Sequence, residues 1–62
     1  MGPLTIKQWR VLNELTQDDM AQKLEIHRNS YRIKENGKHK WNAKEISKLL
    51  LITGKRYEDL IF

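Results

Sequence analysis

Arg28, Asn29, Arg32 and Asn36 recur at helical spacing. On a helix turning about 100° per residue they fall on one face. Ser30, Tyr31 and Lys34 fall on the opposite face, with Ile33 and Glu35 at the boundary. The first face carries multivalent hydrogen-bonding groups and no large apolar side chain. A guanidinium can donate two parallel bonds to guanine, and a carboxamide can pair doubly with adenine. The chemistry on offer is the reading of base edges. Any solvated helix face is polar, so the pattern gains meaning only from its flanks.

The flank is basic. Between Arg28 and Lys44 lie Arg28, Arg32, Lys34, Lys38, Lys40 and Lys44, with Glu35 the one acid. Asp18, Asp19, Glu25, Glu58 and Asp59 stand outside that window. The whole chain carries +4, from 12 Lys and Arg against 8 Asp and Glu. A positive balance concentrated in one segment favours an anionic partner.

Other chemistry finds no support in the residues. There are no cysteines, hence no disulfide, thiolate metal site or thiol nucleophile. His27 and His39 are too few and too far apart for a metal, and no cofactor motif or Gly-rich phosphate loop is present. Ser30 and Ser47 have no evident base. No catalytic residue is assigned. The longest apolar run, Leu49 to Ile52, is far short of a membrane span. No apolar run follows Gly2-Pro3-Leu4 to make a signal peptide, so a cytoplasmic protein is expected.

Five short helices around one core can be placed in the 62 residues, which form a single domain with no strand. The first runs from about Thr5 to Asn13, with Ile6, Trp9 and Asn13 on one face and Leu12 beside it. Thr16 caps the second, with Asp19 completing an imperfect capping box. Met20, Ala21 and Leu24 form its inner stripe, and Ile26 plugs the following turn. His27 or Arg28 opens the third helix, which Asn36-Gly37 closes. Lys38 to Trp41 is a basic loop, with Trp41 as its anchor. Asn42 caps a fourth helix from Ala43 to Leu50, whose inner residues are Ile46, Leu49 and Leu50. Thr53-Gly54 breaks it, and Tyr57 to Phe62 form a last helix with Tyr57, Leu60 and Ile61 inward.

Leu15-Thr16-Gln17, Ala21, Leu24 and Glu35-Asn36-Gly37-Lys38 resemble, at the right spacing, the helix-turn-helix of phage Cro and repressor proteins, often called the XRE family. Tyr31, Trp41 and the ending Glu58-Asp59-Leu60-Ile61-Phe62 look like the variant common in phages and mobile elements of Gram-positive bacteria. The resemblance spans residues 5 to 62 and implies an all-α, lambda-repressor-like DNA-binding domain. It implies that Arg28, Asn29 and Arg32 read bases. Ile33 touches a thymine methyl or simply packs. Gln17, His27, Asn36, Lys38 and Lys40 would hold phosphates, with His27 also able to cap the third helix. Arg10 and Glu35 match a pair that bridges the first helix to the third. The partner would be double-stranded operator DNA bound by a homodimer, with no membrane and no small-molecule ligand. The lack of a second domain favours a Cro-like repressor. The alternative is an antirepressor or antitoxin that binds protein on the same scaffold.

Two positions depart from the family pattern. Glu25 stands where glycine is usual, in a turn that often needs left-handed backbone; either Glu25 takes that conformation at a cost on the order of 1 kcal/mol, or the turn is looser or differently shaped. Lys34 lies on the inner face of the third helix. Either its stem packs while the ammonium reaches out, or the helix is rotated and Ile33 enters the core. Gly54-Lys55-Arg56 also lengthens the last loop, which leaves the subunit-pairing surface open.

Overall fold

Helices of two to three turns are marginal alone and depend on caps and on packing. The computed structural model, which describes residues 2–62, supplies both. Its four α-helices are α1 (Ile6–Leu12), α2 (Gln17–Leu24), α3 (Arg28–Glu35) and α4 (Ala43–Thr53). Each begins on a side-chain cap. Thr5 with Gln8, Thr16 with Asp19 and Asn42 with Glu45 form reciprocal capping boxes. His27 caps α3 through Nδ1, which accepts from the Asn29 N–H at 3.2 Å.

The expected fifth helix does not form. Tyr57–Asp59 make a single 3₁₀ turn, and Leu60–Ile61 then run extended as β2. β2 pairs in parallel with β1 (Leu4–Thr5), in the register Leu4 with Leu60 and Thr5 with Ile61. The pairing satisfies backbone groups at both ends of the chain that a frayed turn would leave open. Of the three residues expected inward, only Leu60 is buried. Tyr57 and Ile61 are exposed, and Tyr57 stacks on Phe62 with ring centroids 5.3 Å apart. On the face of α1 that Ile6, Trp9 and Asn13 share, Ile6 is buried and Trp9 packs on the core, while Asn13 donates its side chain to the Trp9 carbonyl on the surface and the adjacent Leu12 is 69% exposed. α4 runs one turn beyond Leu50 and stops on Gly54, whose φ of 67° suits a residue without Cβ.

The core is Ile6, Met20, Ala21, Leu24, Tyr31, Trp41, Leu49 and Leu60. Trp9, Leu15, Ile26, Ile46 and Leu50 pack around it. Trp41 is buried against Tyr31 at 5.7 Å between ring centroids, which fastens the basic loop to α3.

The link between α2 and α3 keeps the left-handed conformation without a glycine: Glu25 has φ 59° and ψ 40°. Lys48 of α4 compensates. Its ammonium donates to the Leu24 carbonyl at 3.3 Å and to the Glu25 carboxylate at 2.9 Å. One cation thus satisfies a terminal carbonyl of α2 and complements the negative end of that helix.

Lys34 follows neither of the two expected routes. Its ammonium turns into the protein and pairs with Glu45, whose side chain is 7% exposed. Glu45 already accepts the Asn42 N–H through its other oxygen, at 3.0 Å. The pair ties α3 to the cap of α4, and Ile33 stays at the surface. Removing one partner of such a pair leaves a buried charge uncompensated. Lys34→Ala or Glu45→Ala is expected to lower stability by about 3 kcal/mol, a large share of the ~3–9 kcal/mol expected for a domain this size. Urea unfolding followed by circular dichroism checks it; a midpoint equal to wild type would show that the pair contributes nothing.

Candidate nucleic-acid interface

Position on α3 decides which side chains face inward. Tyr31 and Glu35 lie four residues apart and share the buried face. Glu35 is the centre of a closed polar cluster, with its side chain 1% exposed. Arg10 of α1 donates Nε to Oε2 at 2.9 Å and Nη2 to Oε1 at 3.1 Å. Gln17, at the start of α2, donates Nε2 to Oε1 at 3.1 Å. The Tyr31 hydroxyl donates to Oε2. The third guanidinium arm of Arg10 closes on the Leu15 carbonyl at 2.9 Å. The bridge between Arg10 and Glu35 anticipated from the sequence is present, and Gln17 and Tyr31 join it.

These contacts set the protonation states. Burial pushes the Glu35 carboxyl up, but the bonds from Arg10, Tyr31 and Gln17 outweigh it and hold the group below its ordinary 4.5. The Tyr31 phenol is pushed up, first by burial and then by its bond to Glu35. The Arg10 guanidinium is raised by its bond to Glu35. At neutral pH the cluster is therefore an ionised acceptor ringed by protonated donors.

With Tyr31 and Glu35 turned inward, Arg28, Asn29, Arg32 and Asn36 are exposed. Arg28, Asn29 and Arg32 line a cleft of about 200 Å³ together with Gln17 and Asp18 from the first turn of α2. Gln17 is half-buried, because its amide is held by Glu35. Its backbone N–H and second amide hydrogen are the donors left for a ligand. Across the same cleft Arg28 Nη1 stands 3.7 Å from Asp18 Oδ2. Asp18 is not among the site residues expected from the sequence, where it stands only as an acid outside the basic window.

A second depression, of about 250 Å³, is lined by Ser30, Ile33, Lys34 and His39. Ile33 is 36% exposed at its rim, so it is free to touch an apolar group. Asn36, Lys38 and Lys40 lie beyond the C-terminal end of α3 and line neither depression. Asn36 is the C-cap residue of the helix, and Gly37 turns the chain with φ 82°. His27 uses Nδ1 on its own helix cap, leaving Nε2 as the atom that faces outward chemistry.

The charges sort themselves by side. Glu35, the one acid of the basic segment, is buried and neutralised by Arg10. Lys34 is neutralised by Glu45. Among the described residues, Arg32, Lys38, Lys40 and Lys44 have no acidic partner, so the outer surface of the segment is positive. The groups present are cations and amides with one carboxylate, Asp18; among the described residues no cluster fit for a metal ion occurs. Comparison with family models, with curated proteins and with solved structures returned no match.

Both buried carboxylates, Glu35 and Glu45, are held below 4.5: burial raises each, and its hydrogen-bonded partners, led by Arg10 and by Lys34, lower it further. Below that pH the unfolded chain binds more protons than the folded one, so stability falls on acidification. The contribution is complete above the ordinary value of 4.5 and is lost as pH drops beneath it. In Glu35→Gln the acid-linked part is removed. Urea midpoints measured from pH 7 to pH 3 should show the variant well below wild type at pH 7, with the gap narrowing below pH 4.5. A gap independent of pH would refute the ionised state of Glu35.

Proposed function

We propose that this chain is a sequence-specific double-stranded DNA-binding regulator, with α2, the Glu25 turn and α3 acting as a helix-turn-helix. The observation that carries the reading is the exposure of Arg28, Asn29 and Arg32 on one face of α3 while Glu35 and Tyr31 anchor the other. That face would lie in the major groove. Arg28 and Asn29, at the start of the helix, would meet base edges first, with Arg32 a turn deeper. Ile33 would lie against a thymine methyl. Gln17, His27, Asn36, Lys38 and Lys40 would hold phosphates, fixing register without reading sequence.

The reading extends to a dimer. The body measures 30 × 25 × 20 Å. Two copies of that size could each place an α3 on half-sites one helical turn, about 34 Å, apart. Such a dimer would repress by occupying a promoter, as Cro-type proteins do. A second reading, a regulator that acts on another protein, is favoured by Val11 and Leu12, which are 57% and 69% exposed on α1.

Selection of bound sequences from random duplex DNA separates the two. Enrichment of a two-fold symmetric site supports the first reading; no enriched site leaves the second. Within an enriched site, Arg28→Ala and Asn29→Ala should each relax preference at defined positions, at a cost of about 1–3 kcal/mol. If both variants keep wild-type selectivity, α3 is not the reading helix. Lys38→Ala and Lys40→Ala should weaken all sequences alike and lower the slope of log affinity against log salt by about one each. An unchanged slope removes them from the phosphate contacts.

A further inference from the structure

Asp18 is an odd residue to find in this cleft. A carboxylate there repels the DNA backbone. Its ion pair with Arg28 does not account for it, because the two side chains are 60% and 70% exposed and such pairs contribute little. Asp18 is not the cap of α2, a role taken by Thr16 with Asp19; like Asp19 it suits the positive end of that helix, but this does not require it to face the cleft. Its place is nonetheless well defined. Gln17, the residue before it, is clamped to Glu35 of α3 at 3.1 Å, so the first turn of α2 is fixed against the helix that carries Arg28.

We infer that Asp18 and Arg28 together form a reader for one G·C base pair, with Asp18 accepting from the exocyclic amine of the cytosine. This rests on the reading of α3 as a DNA-binding helix. In the major groove a G·C pair presents guanine N7 and O6 as acceptors and then cytosine N4 as donor. A guanidinium followed by a carboxylate offers the complement: two donors and then an acceptor. Guanine O6 and cytosine N4 are hydrogen-bonded to each other, hence about 2.9 Å apart. Arg28 Nη1 and Asp18 Oδ2 are 3.7 Å apart on the protein, within a rotamer adjustment of that spacing.

The pair discriminates more sharply than arginine alone. An A·T pair in the same place puts the thymine O4 acceptor opposite the Asp18 carboxylate, two acceptors with no proton between them. Adenine N6 could donate to Asp18, but Arg28 would then keep a single acceptor, N7. Only G·C satisfies all three groups. In the free protein the two groups already stand 3.7 Å apart across the cleft, with no firm bond to break before a base pair is met.

The test is selection from random duplex DNA with wild type, Arg28→Ala and Asp18→Ala, each checked for folding by circular dichroism. Arg28→Ala identifies the base pair concerned. The expected result is a G·C pair there in the wild-type site. Asp18→Ala should lower the preference for G·C over A·T at that pair by about tenfold and leave the other positions unchanged. Three results would overturn the inference while leaving DNA recognition intact: an A·T preference at that pair, an unaltered preference in Asp18→Ala, or uniformly tighter binding to every sequence. If wild type enriches no site, the inference falls together with the reading beneath it.

Discussion

A carboxylate removed from water needs nearly every lone pair engaged, because the cost of burying the ion is several kcal/mol. Glu35 meets that condition with four donated hydrogen bonds, drawn from Arg10 on α1, Gln17 on α2 and Tyr31 on its own helix. Arg10 neutralises the charge, and Gln17 and Tyr31 engage the lone pairs that remain. This one group therefore fixes the rotation of α3. It also sets the distance from α3 to the first turn of α2, and the placement of α1 across both. The outward face of α3 follows in large part: with Glu35 and Tyr31 inward, Asn29 and Arg32 turn out, while Arg28, close to Glu35 on the helical wheel, is exposed because it stands at the first position of the helix.

A chain of 62 residues has little apolar surface to bury, and its core is eight side chains. Polar pairs supply the remaining links between helices. Glu35 with Arg10 joins α3 to α1, Lys34 with Glu45 joins α3 to α4, and Lys48 with Glu25 joins α4 to the turn before α3. Each element that touches α3 does so partly through an ion pair. The same contacts remove the basic segment's one acid from the surface and draw Lys34 inward. What is left outside is a nearly unopposed set of cations and amides, with Asp18 as the exception that gives the cleft an acceptor.

Much of this was legible in the residue order, because it depends on neighbours within a few positions. Helix starts follow from Thr5, Thr16 and Asn42, each with a partner three residues on. The stop at Asn36-Gly37, the inner stripe of Met20, Ala21 and Leu24, and the outward set on α3 follow from helical periodicity alone. The left-handed backbone at Glu25 was only half legible, because a residue with a Cβ left a looser turn open and the Lys48 contacts that support the left-handed one come from another helix. Glu45 could have been found in the same way, as the residue completing a box with Asn42.

What the residue order left undecided were choices between distant segments. Tyr57 to Phe62 have the composition of an apolar helix, yet β1 offers an unpaired edge, and pairing across the two chain ends outweighs a helix only one turn long. Lys34 had two local solutions, and neither included Glu45, because a partner eleven residues away on another helix leaves no trace in periodicity. Asp18 became part of a cleft only when Gln17 locked α2 against α3. Local sequence thus determined where the four α-helices lie and which residues each turns inward. Tertiary structure decided which charges meet, because Coulomb and hydrogen-bond partners are selected by distance in space and not by separation along the chain.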